Sequence, residues 1–356
     1  LVLRLHGVLS ASRRGAMLDS AAVKALRDIK SLFDEGILTE EEYTNMKAEI
    51  LTGARSPEPA PDAVPLAQSM AALRMTGPYE CVDTLIGHSA SVWCVAALPD
   101  GCIVSGSSDE SLIVWDPTDG SSFPPLIGHS AYVWGVAVLP DGRVVSGSHD
   151  KSLIVWDPTN GRRLRTFTGH SSAVFCVAVL PDGRVVSGCS DESLIVWDPT
   201  DGRRLRTLIG HSSCVRCVAV LPDGRVVSGS DDKSLIVWDP TDGRRLRTLV
   251  GHSSWVWCVA ALPDGCIVSG SDDNSLIVWD PTNGRRLRTF TGHSNDVMCV
   301  AVLPDGRVVS GSRDHSLIVW DPTDSRRLRT LIGHSDWVRC VAVLPDGRVV
   351  SGSDDK

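Results

Sequence analysis

A histidine, a serine, an aspartate and a tryptophan recur together along the chain at constant spacing. The histidine follows a glycine, and successive pairs lie 41 residues apart: Gly87-His88, Gly128-His129, Gly169-His170, Gly210-His211, Gly251-His252, Gly292-His293 and Gly333-His334. Serine, histidine and aspartate are also the residues of a hydrolase triad, in which histidine takes the serine proton and aspartate orients the histidine. Catalysis needs one such set in a cleft with an oxyanion hole, whereas equivalent copies favour a structural role. We therefore predict that the chain is not an enzyme.

Other motifs that would carry chemistry are missing from the sequence. It has no GxxxxGK[ST] phosphate loop, no HExxH and no calcium loop. Cys214 and Cys217 form a CxxC pair, but no second pair accompanies it. Six of the eleven cysteines share one repeat position, usually inside an apolar stretch, as small buried hydrophobic residues do: Cys94, Cys176, Cys217, Cys258, Cys299 and Cys340. We predict no metal site and no cofactor.

Composition and charge narrow the classes of partner. Apolar residues make up 42% of the chain and charged residues 22%, which is ordinary for a globular protein. The formal net charge of -8 argues against a general nucleic-acid or membrane-surface binder, because both need a surplus of Lys and Arg. No apolar run is long enough to span a membrane. Many unpaired thiols favour an intracellular location, which we expect to be cytoplasmic, with the nucleus as the alternative.

Residues 18–53 have the pattern of two short helices. Apolar residues at three- and four-residue spacings form one stripe on the first helix: Val23, Leu26, Ile29, Leu32 and Phe33. Thr39 and Glu42 form a capping box that begins the second helix. The stretch DIKSLFDEGILTEEEYTNMKAEIL resembles the SHOCT family, a two-helix module. Because so small a pair buries little apolar surface alone, the resemblance implies a docking or self-association element. A frayed amphipathic appendage is the alternative.

The flanking segments differ from this hairpin in composition. Residues 1–17 contain Arg and Ser without an acidic residue, and we expect a disordered or remnant segment with Met17 as a plausible start; a transit-like or signal-like peptide is the alternative. Residues 54–79 are rich in Pro and Ala, which predicts a flexible or semi-extended linker. The repeats then occupy residues 80–356.

Each repeat reads as four strands joined by tight turns. An apolar run such as VFCVAVL is followed by PDGR, then VVSGS, a short acidic turn, SLIVWD, PTDG and RRLRTL. A Trp-Asp pair closes the third run at Trp115-Asp116, Trp156-Asp157, Trp197-Asp198, Trp238-Asp239, Trp279-Asp280 and Trp320-Asp321. Gly-His and Trp-Asp signatures at this period resemble the WD-repeat family. The resemblance implies an all-β, seven-bladed β-propeller, preceded here by the small α-helical hairpin.

The resemblance also assigns the recurring polar residues to buried hydrogen-bonded tetrads. An imidazole, a hydroxyl and an indole N–H can be buried together only if they satisfy one another. In chain order the predicted tetrads are His88, Ser105, Asp109 and Trp115; His129, Ser146, Asp150 and Trp156; His170, Ser187, Asp191 and Trp197; His211, Ser228, Asp232 and Trp238; His252, Ser269, Asp273 and Trp279; and His293, Ser310, Asp314 and Trp320. The choice of Ser187 over Cys189 rests on the resemblance.

The outermost strand and the last repeat depart from uniformity. RRLRT gives five blades a basic rim, which we interpret as a guard against edge-to-edge pairing rather than a nucleic-acid surface. The first blade has SSFPPL instead, and Pro124 and Pro125 are acceptable only on an outermost strand. The seventh unit stops at SGSDDK without its third strand, so we expect an incomplete seventh blade. In the family, the N-terminal strand, here residues 81–86, would pair with that missing strand.

The copies differ from one another chiefly at three positions, where packing alone would keep them identical. Three residues after the histidine stand Ser91, Tyr132, Ala173, Cys214, Trp255, Asp296 and Trp337. Five residues after it stand Trp93, Trp134, Phe175, Arg216, Trp257, Met298 and Arg339. Just before the tetrad aspartate stand Ser108, His149, Ser190, Asp231, Asp272, Arg313 and Asp354. The family geometry implies that all three positions lie on one face around a central channel.

These positions are rich in residue types that dominate binding hot spots. We therefore predict a non-catalytic scaffold that binds a protein segment on this face. Its apolar anchors would be Trp93, Trp134, Trp255, Trp257 and Trp337, all expected to be exposed, while Arg216, Arg339, Asp231 and Asp272 would provide charge selectivity. The full set also includes Ser91, Tyr132, His149, Phe175, Asp296, Met298 and Arg313.

Several alternatives remain open from the sequence. The first is a reader of methylated lysine or arginine, because aromatic rings near acids attract cations. Patchy variation between near-identical repeats also resembles recognition modules of the incompatibility or immune type, as in fungal β-transducin-like proteins. A ubiquitin-ligase receptor is a further alternative, although WDPTDGR lacks the WDxR pattern of adaptor-binding WD proteins. A purely structural role through the rim and the hairpin is the last.

Overall fold

The computed structural model describes residues 2–3 and 81–355. These residues form twenty-eight β-strands arranged as seven four-stranded antiparallel sheets. The predicted helical hairpin of residues 18–53 and the linker of residues 54–79 lie outside the described residues. Within residues 81–355, no helix is long and apolar enough to cross a membrane.

The innermost strand of each sheet carries the apolar run after the Gly-His pair. In blades 1 to 7 these strands are β3 (Val92–Ala97), β7 (Val133–Val138), β11 (Val174–Val179), β15 (Val215–Val220), β19 (Val256–Ala261), β23 (Val297–Val302) and β27 (Val338–Val343). Each contacts the innermost strand of the next blade, and β27 contacts β3. The seven strands therefore form a closed ring, which is the propeller arrangement that the repeats predict.

The second and third strands are almost entirely buried. The second strands are β4 (Ile103–Ser107), β8 (Val144–Ser148), β12 (Val185–Cys189), β16 (Val226–Ser230), β20 (Ile267–Ser271), β24 (Val308–Ser312) and β28 (Val349–Ser353). The third strands are β5 (Ser111–Trp115), β9 (Ser152–Asp157), β13 (Ser193–Trp197), β17 (Ser234–Trp238), β21 (Ser275–Trp279) and β25 (Ser316–Trp320). Neighbouring blades cover both faces of these strands, which is why they read as apolar runs rather than alternating patterns.

The outer strands are mostly exposed. They are β6 (Leu126–Ile127), β10 (Arg162–Thr168), β14 (Arg204–Ile209), β18 (Arg245–Val250), β22 (Arg286–Thr291) and β26 (Arg327–Ile332). Each buries one large apolar side chain, such as Phe167 or Leu208, and those of blades 2 to 6 carry arginines that are mostly exposed. In blade 1 the outer strand is reduced to two residues after Pro124 and Pro125, because proline offers no N–H to the ladder.

The core lies between the blades. One cluster joins Leu153 and Phe167 of blade 2 to Ile195 and Trp197 of blade 3. The same tryptophan explains the glycine of the Gly-His pair, since a Cβ at Gly169 would lie 3.0 Å from the Trp197 ring. The two signatures of the repeat therefore specify one contact, in which a bulky indole packs on a bare backbone.

Blade 7 is only partly built from its own repeat. Its strands β27 and β28 are joined by two short strands, β1 (Val2–Leu3) and β2 (Cys81–Asp83), in the order β2-β1-β28-β27. Val2 pairs with Val350 and Leu3 with both Val349 and Cys81. Residues 81–83 therefore form the outermost strand as the resemblance implies, while residues 2–3, predicted to be disordered or a remnant, occupy the third position. The free backbone groups of β28 account for this, because an unpaired edge accepts another extended segment.

Blades 7 and 1 pack together as the other blades do. The Cys340 thiol lies 3.8 Å from the Val92 carbonyl oxygen, the same separation that joins Cys217 to Val256. A Cβ at Gly352 would likewise meet the Cys340 sulfur and Val92, as the equivalent glycines do in other blades. The inner part of the ring is therefore closed although blade 7 lacks the Trp-Asp strand.

Candidate functional site

The predicted tetrads are hydrogen bonded in every complete blade. In blade 3, His170 Nε2 lies 2.8 Å from Ser187 Oγ, Trp197 Nε1 donates to the same oxygen at 2.8 Å, and His170 Nδ1 lies 3.2 Å from Asp191. The His Nε2 to Ser Oγ distance is 2.7–2.8 Å in all seven blades. The indole donates at 2.7–2.8 Å in blades 1 to 6. Blade 7 has the equivalent His334, Ser351 and Asp355 without a tryptophan.

These contacts leave the serine unsuited to nucleophilic attack. Because the aspartate accepts the Nδ1 proton, Nε2 is free to accept the serine O–H, and the indole uses a serine lone pair. Ser187 is fully buried, so a substrate carbonyl has no access to it. The tetrads therefore hold the blades together, and the arrangement lacks the open cleft of a hydrolase.

The tetrad carboxylates are held ionised by their neighbours. Burial alone would raise the pKa of Asp150, but hydrogen bonds from His129 and Ser152 outweigh it and bring that pKa well below its ordinary value. The pKa of the tetrad aspartate is lowered in each of the seven blades. Burial lowers the pKa of His170, and nearby Asp191 only partly opposes this effect. The tetrad of blade 3 thus favours a neutral His170 beside a charged Asp191.

Blade 3 has a cysteine where the other blades have a second serine. The Asp191 N–H donates to Cys189 Sγ at 3.3 Å, whereas in blade 4 Asp232 N–H donates to Ser230 Oγ at 3.1 Å. His170, Cys189 and Asp191 are the one group among residues 81–355 whose side chains could together hold a metal ion. Burial raises the pKa of Cys189 to about 12, so this thiol is a poor source of the thiolate that a metal prefers. We interpret Cys189 as a replacement for the second serine beside the tetrad, because it accepts the same backbone N–H.

A bulge on every innermost strand positions one of the three variable residues of each repeat. The register between the first and second strands shifts at Trp93, since Val92 pairs with Ser107 and Cys94 with Gly106. The same shift occurs at the fifth residue after the histidine in the six other blades. A bulge redirects the side chain of the extra residue. In six blades this side chain is partly exposed toward its neighbours around the channel, and in blade 6 it is the buried Met298.

Eight of these variable side chains form a continuous chain of contacts around the channel, which we call the mouth ring. In order they are Trp93, Trp134, Phe175, Arg216, Trp257, Arg313, Trp337 and Arg339, and the last contacts the first. Ring centroids, or guanidinium carbons and ring centroids, are 4.0–5.5 Å apart along the whole series. Aromatic rings meet in blades 1 to 3, and guanidinium groups alternate with indoles in the remainder. Blade 6 contributes Arg313 from its turn, because its bulge residue Met298 is buried.

Each arginine of the mouth ring has its own carboxylate. Arg216 donates to both oxygens of Asp231 at 2.8 and 2.7 Å. Arg339 makes the same paired contact with Asp354, at 2.9 and 2.6 Å. Arg313 pairs with Asp296. Arg216, Arg339 and Asp231, which we predict to provide charge selectivity, are therefore held in bidentate ion pairs within the chain.

Asp272 differs from the other mouth carboxylates. It accepts the Trp257 indole N–H and also faces Asp296. Burial and the hydrogen bond with Asp272 raise the pKa of Asp296, and Arg313 only partly offsets them. Two carboxylates therefore lie side by side between blades 5 and 6, and Arg313 forms an ion pair with Asp296.

The exposure of the predicted anchors is uneven. Trp255 is 41% exposed and Tyr132 is 47% exposed, so both offer apolar surface to solvent. Trp93, Trp134, Trp257 and Trp337 are only partly exposed, contrary to the expectation of five exposed tryptophans, because the mouth ring covers their faces. The Trp134 indole nitrogen is buried without a hydrogen-bond partner.

The remaining predicted residues lie beside the mouth ring or beneath it. Ala173 is buried and Cys214 contacts Ser190, whose hydroxyl lies 3.2 Å from its sulfur. His149 packs beside Tyr132 with ring centroids 6.2 Å apart, and Ser108 accepts the Trp93 indole N–H. Ser91 is linked to Ser108 through the backbone.

One more position varies between the repeats. The residue after each tetrad aspartate has a positive φ of 65–71°, and it differs between blades: Glu110, Lys151, Glu192, Lys233, Asn274 and His315. Left-handed backbone is uncommon for such residues. None of them belongs to the contacts that form the mouth ring. The variation was visible in the sequence, but the backbone conformation was not.

Comparison with known proteins agrees with this geometry. The family model "WD domain, G-beta repeat" matches residues 79–116, 121–157, 161–198, 202–239, 243–280, 284–321 and 325–356. A second family model, "Short C-terminal domain" or SHOCT, matches residues 24–51. The WD40 β-propeller domain of Doa1 superimposes with a TM-score of 0.71 at 24% identity, covering 77% of this chain and 93% of that one. That likeness concerns the fold alone.

A sequence relative is known over a short stretch. An uncharacterized WD repeat-containing protein of Schizosaccharomyces pombe, C126.01c, is 58% identical over 38 residues, or 10% of this chain and 10% of that protein. This stretch is about the length of one repeat. With family matches over more than half of its length, the chain belongs to the WD-repeat family, whose propellers are generally non-catalytic scaffolds for protein–protein interaction.

Proposed function

We propose that the mouth ring and the exposed side chains beside it bind a segment of another protein. The observation that carries this proposal is the contrast within each repeat. Buried positions repeat almost unchanged from blade to blade, while the residues at the channel mouth differ, and ten of the twenty-one at its three variable positions are Trp, Tyr, Phe or Arg. Tryptophan, tyrosine and arginine are enriched at the energetic centres of protein interfaces.

The contacts within the mouth ring support binding by reducing its entropic cost. Each aromatic or guanidinium group is stacked on a neighbour, so few rotamers remain to be lost when a partner arrives. Trp255 and Tyr132 add exposed apolar surface next to these rigid groups. A preorganised surface of this kind suits an extended segment or a loop better than a flat, flexible face.

The same contacts count against a methyl-lysine reader. A cage for a methylated cation needs open aromatic faces. Here Arg216 lies 4.8 Å from the Trp257 centroid, and Arg339 lies 4.6 Å from that of Trp337. These faces already carry the protein's own cations, so the aromatic residues fit better as a supporting frame for partner contacts.

The rim is the second candidate surface, and a specific observation favours it. Exposed aliphatic residues stand among the rim arginines, including Leu246 at 40% exposure and Leu287 at 43%. Exposed apolar area that recurs on several blades could bind a partner in its own right. The rim therefore supplies the matched control for testing the mouth.

The experiment compares two double variants of the full chain in affinity capture from source-cell extract with quantitative mass spectrometry. The mouth variant is Tyr132→Ala with Trp255→Ala, and the rim variant is Leu246→Ala with Leu287→Ala, all four residues being 40–47% exposed. Circular dichroism and the unfolding temperature establish that both fold. We expect specific partners to be lost in the mouth variant alone. Loss in the rim variant alone would assign binding to the rim, and identical partner sets would refute the mouth site.

A further inference from the structure

We propose that the partner segment carries a lysine or arginine whose charged head lies against Asp272 and Asp296, with its aliphatic stem on the exposed indole of Trp255. This inference rests on the proposed function and specifies the chemistry of the partner. Three features of the mouth support this inference: the balance of its charges, the positions of its carboxylates, and the contrast between its aromatic half and its acidic half.

The charges at the mouth do not balance. The mouth has three arginines and four aspartates. Three ion pairs form among them: Arg216 with Asp231, Arg313 with Asp296 and Arg339 with Asp354. These six side chains are between 7% and 24% exposed, so the pairs are well shielded from water. Within the described residues, Asp272 has no ion pair of its own. One negative charge is therefore left over, and it lies at a defined place.

The surplus charge lies beside the indole of Trp255, which is 41% exposed and whose ring centroid is 5.6 Å from the guanidinium carbon of Arg216. The backbone N–H of Asp272 donates to the carbonyl oxygen of Trp255 at 3.0 Å, so the two residues are direct neighbours across the strand pair. The Trp257 indole holds the Asp272 carboxylate, and the Trp255 and Trp257 rings meet edge to face at 5.9 Å. Long basic side chains bind in this manner, with the stem on apolar surface and the head at an acid.

A cation at this place would also relieve repulsion that the protein bears alone. Asp272 and Asp296 approach closely enough to raise the pKa of Asp296. Two carboxylates this close disfavour each other's ionisation, and a positive charge beside them favours it again. Arg313 meets part of the need, but its Nε atom is buried without a partner, which indicates incomplete pairing around the two acids.

The opposite half of the mouth has no such charge. In blades 1 to 3 the ring consists of Trp93, Trp134 and Phe175, and the residue before the tetrad aspartate is Ser108, His149 or Ser190, none of which is an acid. A segment lying across the mouth would therefore meet an aromatic half and an acidic half. This division predicts a bound segment that places a bulky apolar residue on one side and its basic residue on the other.

The test selects peptides from a random display library on the full chain. Peptides whose binding is lost with Trp255→Ser are sequenced, and their dissociation constants are measured by fluorescence anisotropy against wild type, Asp272→Asn and Glu192→Gln. Glu192 is an exposed acid outside the mouth ring and controls for general charge. We expect a lysine or arginine at one fixed position of the selected peptides. Its replacement by norleucine and the Asp272→Asn change should each weaken binding about tenfold, without adding to each other, while Glu192→Gln has no effect.

The other outcomes distinguish a wrong partner chemistry from a wrong binding site. If Trp255-dependent peptides carry no basic residue, the inference on partner chemistry fails and the mouth remains the binding site. If no selected peptide depends on Trp255, the proposed function fails as well. If binding requires a divalent cation and is abolished by EDTA, the two carboxylates hold a metal instead. The norleucine peptide gives its answer on the wild-type protein, so the test does not depend on the folding of Asp272→Asn.

Discussion

The tetrads and the mouth ring are built on the same strands, yet they differ in what they tolerate. The tetrad residues are the same in six blades and their hydrogen-bond lengths agree within a few tenths of an ångström. At the mouth, no two blades present the same three side chains. Burial with complete hydrogen bonding leaves little freedom to change the tetrad residues. The bulge position beside them accepts almost any residue that a neighbour can stack against or pair with.

Acidification should lower the stability of the protein more than any single substitution does, because it acts on all tetrads at once. The pKa of each tetrad aspartate is lowered in the folded state, so its contribution is present above the ordinary value near 4 and is lost as pH falls through the folded value. Burial lowers the pKa of His170 and His334, so the stability from keeping them neutral begins to fall below about pH 6.5. Asp296 has the opposite sign, since its raised pKa makes protonation favour the folded state. We expect urea midpoints to decline in two stages on acidification, and constant midpoints down to pH 3 would contradict the ionised tetrads.

Removing one tetrad indole should have the next largest effect. Trp197 is 1% exposed, so Trp197→Ala leaves a cavity between blades 2 and 3 and is expected to lower the free energy of unfolding by about 3–5 kcal/mol. The matched control is Trp255→Ala, which removes the same side chain from a 41% exposed site and should cost below about 1 kcal/mol. Urea unfolding of both variants checks this. Similar losses in the two would mean that the mouth is part of the structural core.

The arginines of the mouth give a smaller effect and sharpen the assignment of their role. Arg216→Met leaves Asp231, whose side chain is 7% exposed, without its partner, and should cost about 1–3 kcal/mol. The double variant Arg216→Met with Asp231→Leu should recover most of that loss, because no buried charge is left over. Chemical denaturation of the single and double variants measures the coupling. An Arg216→Met protein as stable as wild type would show that the pair is free to serve a partner.

Much of this arrangement could be predicted from the repeats. The resemblance to the WD-repeat family assigned His170, Ser187, Asp191 and Trp197 to one tetrad, and these residues are hydrogen bonded to one another in the structure. Variation between copies identified every member of the mouth ring. Their pairing was not predictable, since Phe175 and Arg216 come from different blades, and only the closed ring brings their side chains within 4.3 Å.

The sequence by itself determined the strand order, the blade period and the buried tetrads, because these depend on local patterns that repeat without change. Tertiary structure alone decided which mouth residues are neutralised, which face solvent and where Asp272 is left beside Asp296. It also decided that Val2–Leu3 occupies the third position of blade 7, as an unpaired edge accepts an extended segment from a distant part of the chain. The physical reason is the same in each case. Contacts between blades join residues that are far apart in sequence, and closure of the ring determines which of them meet.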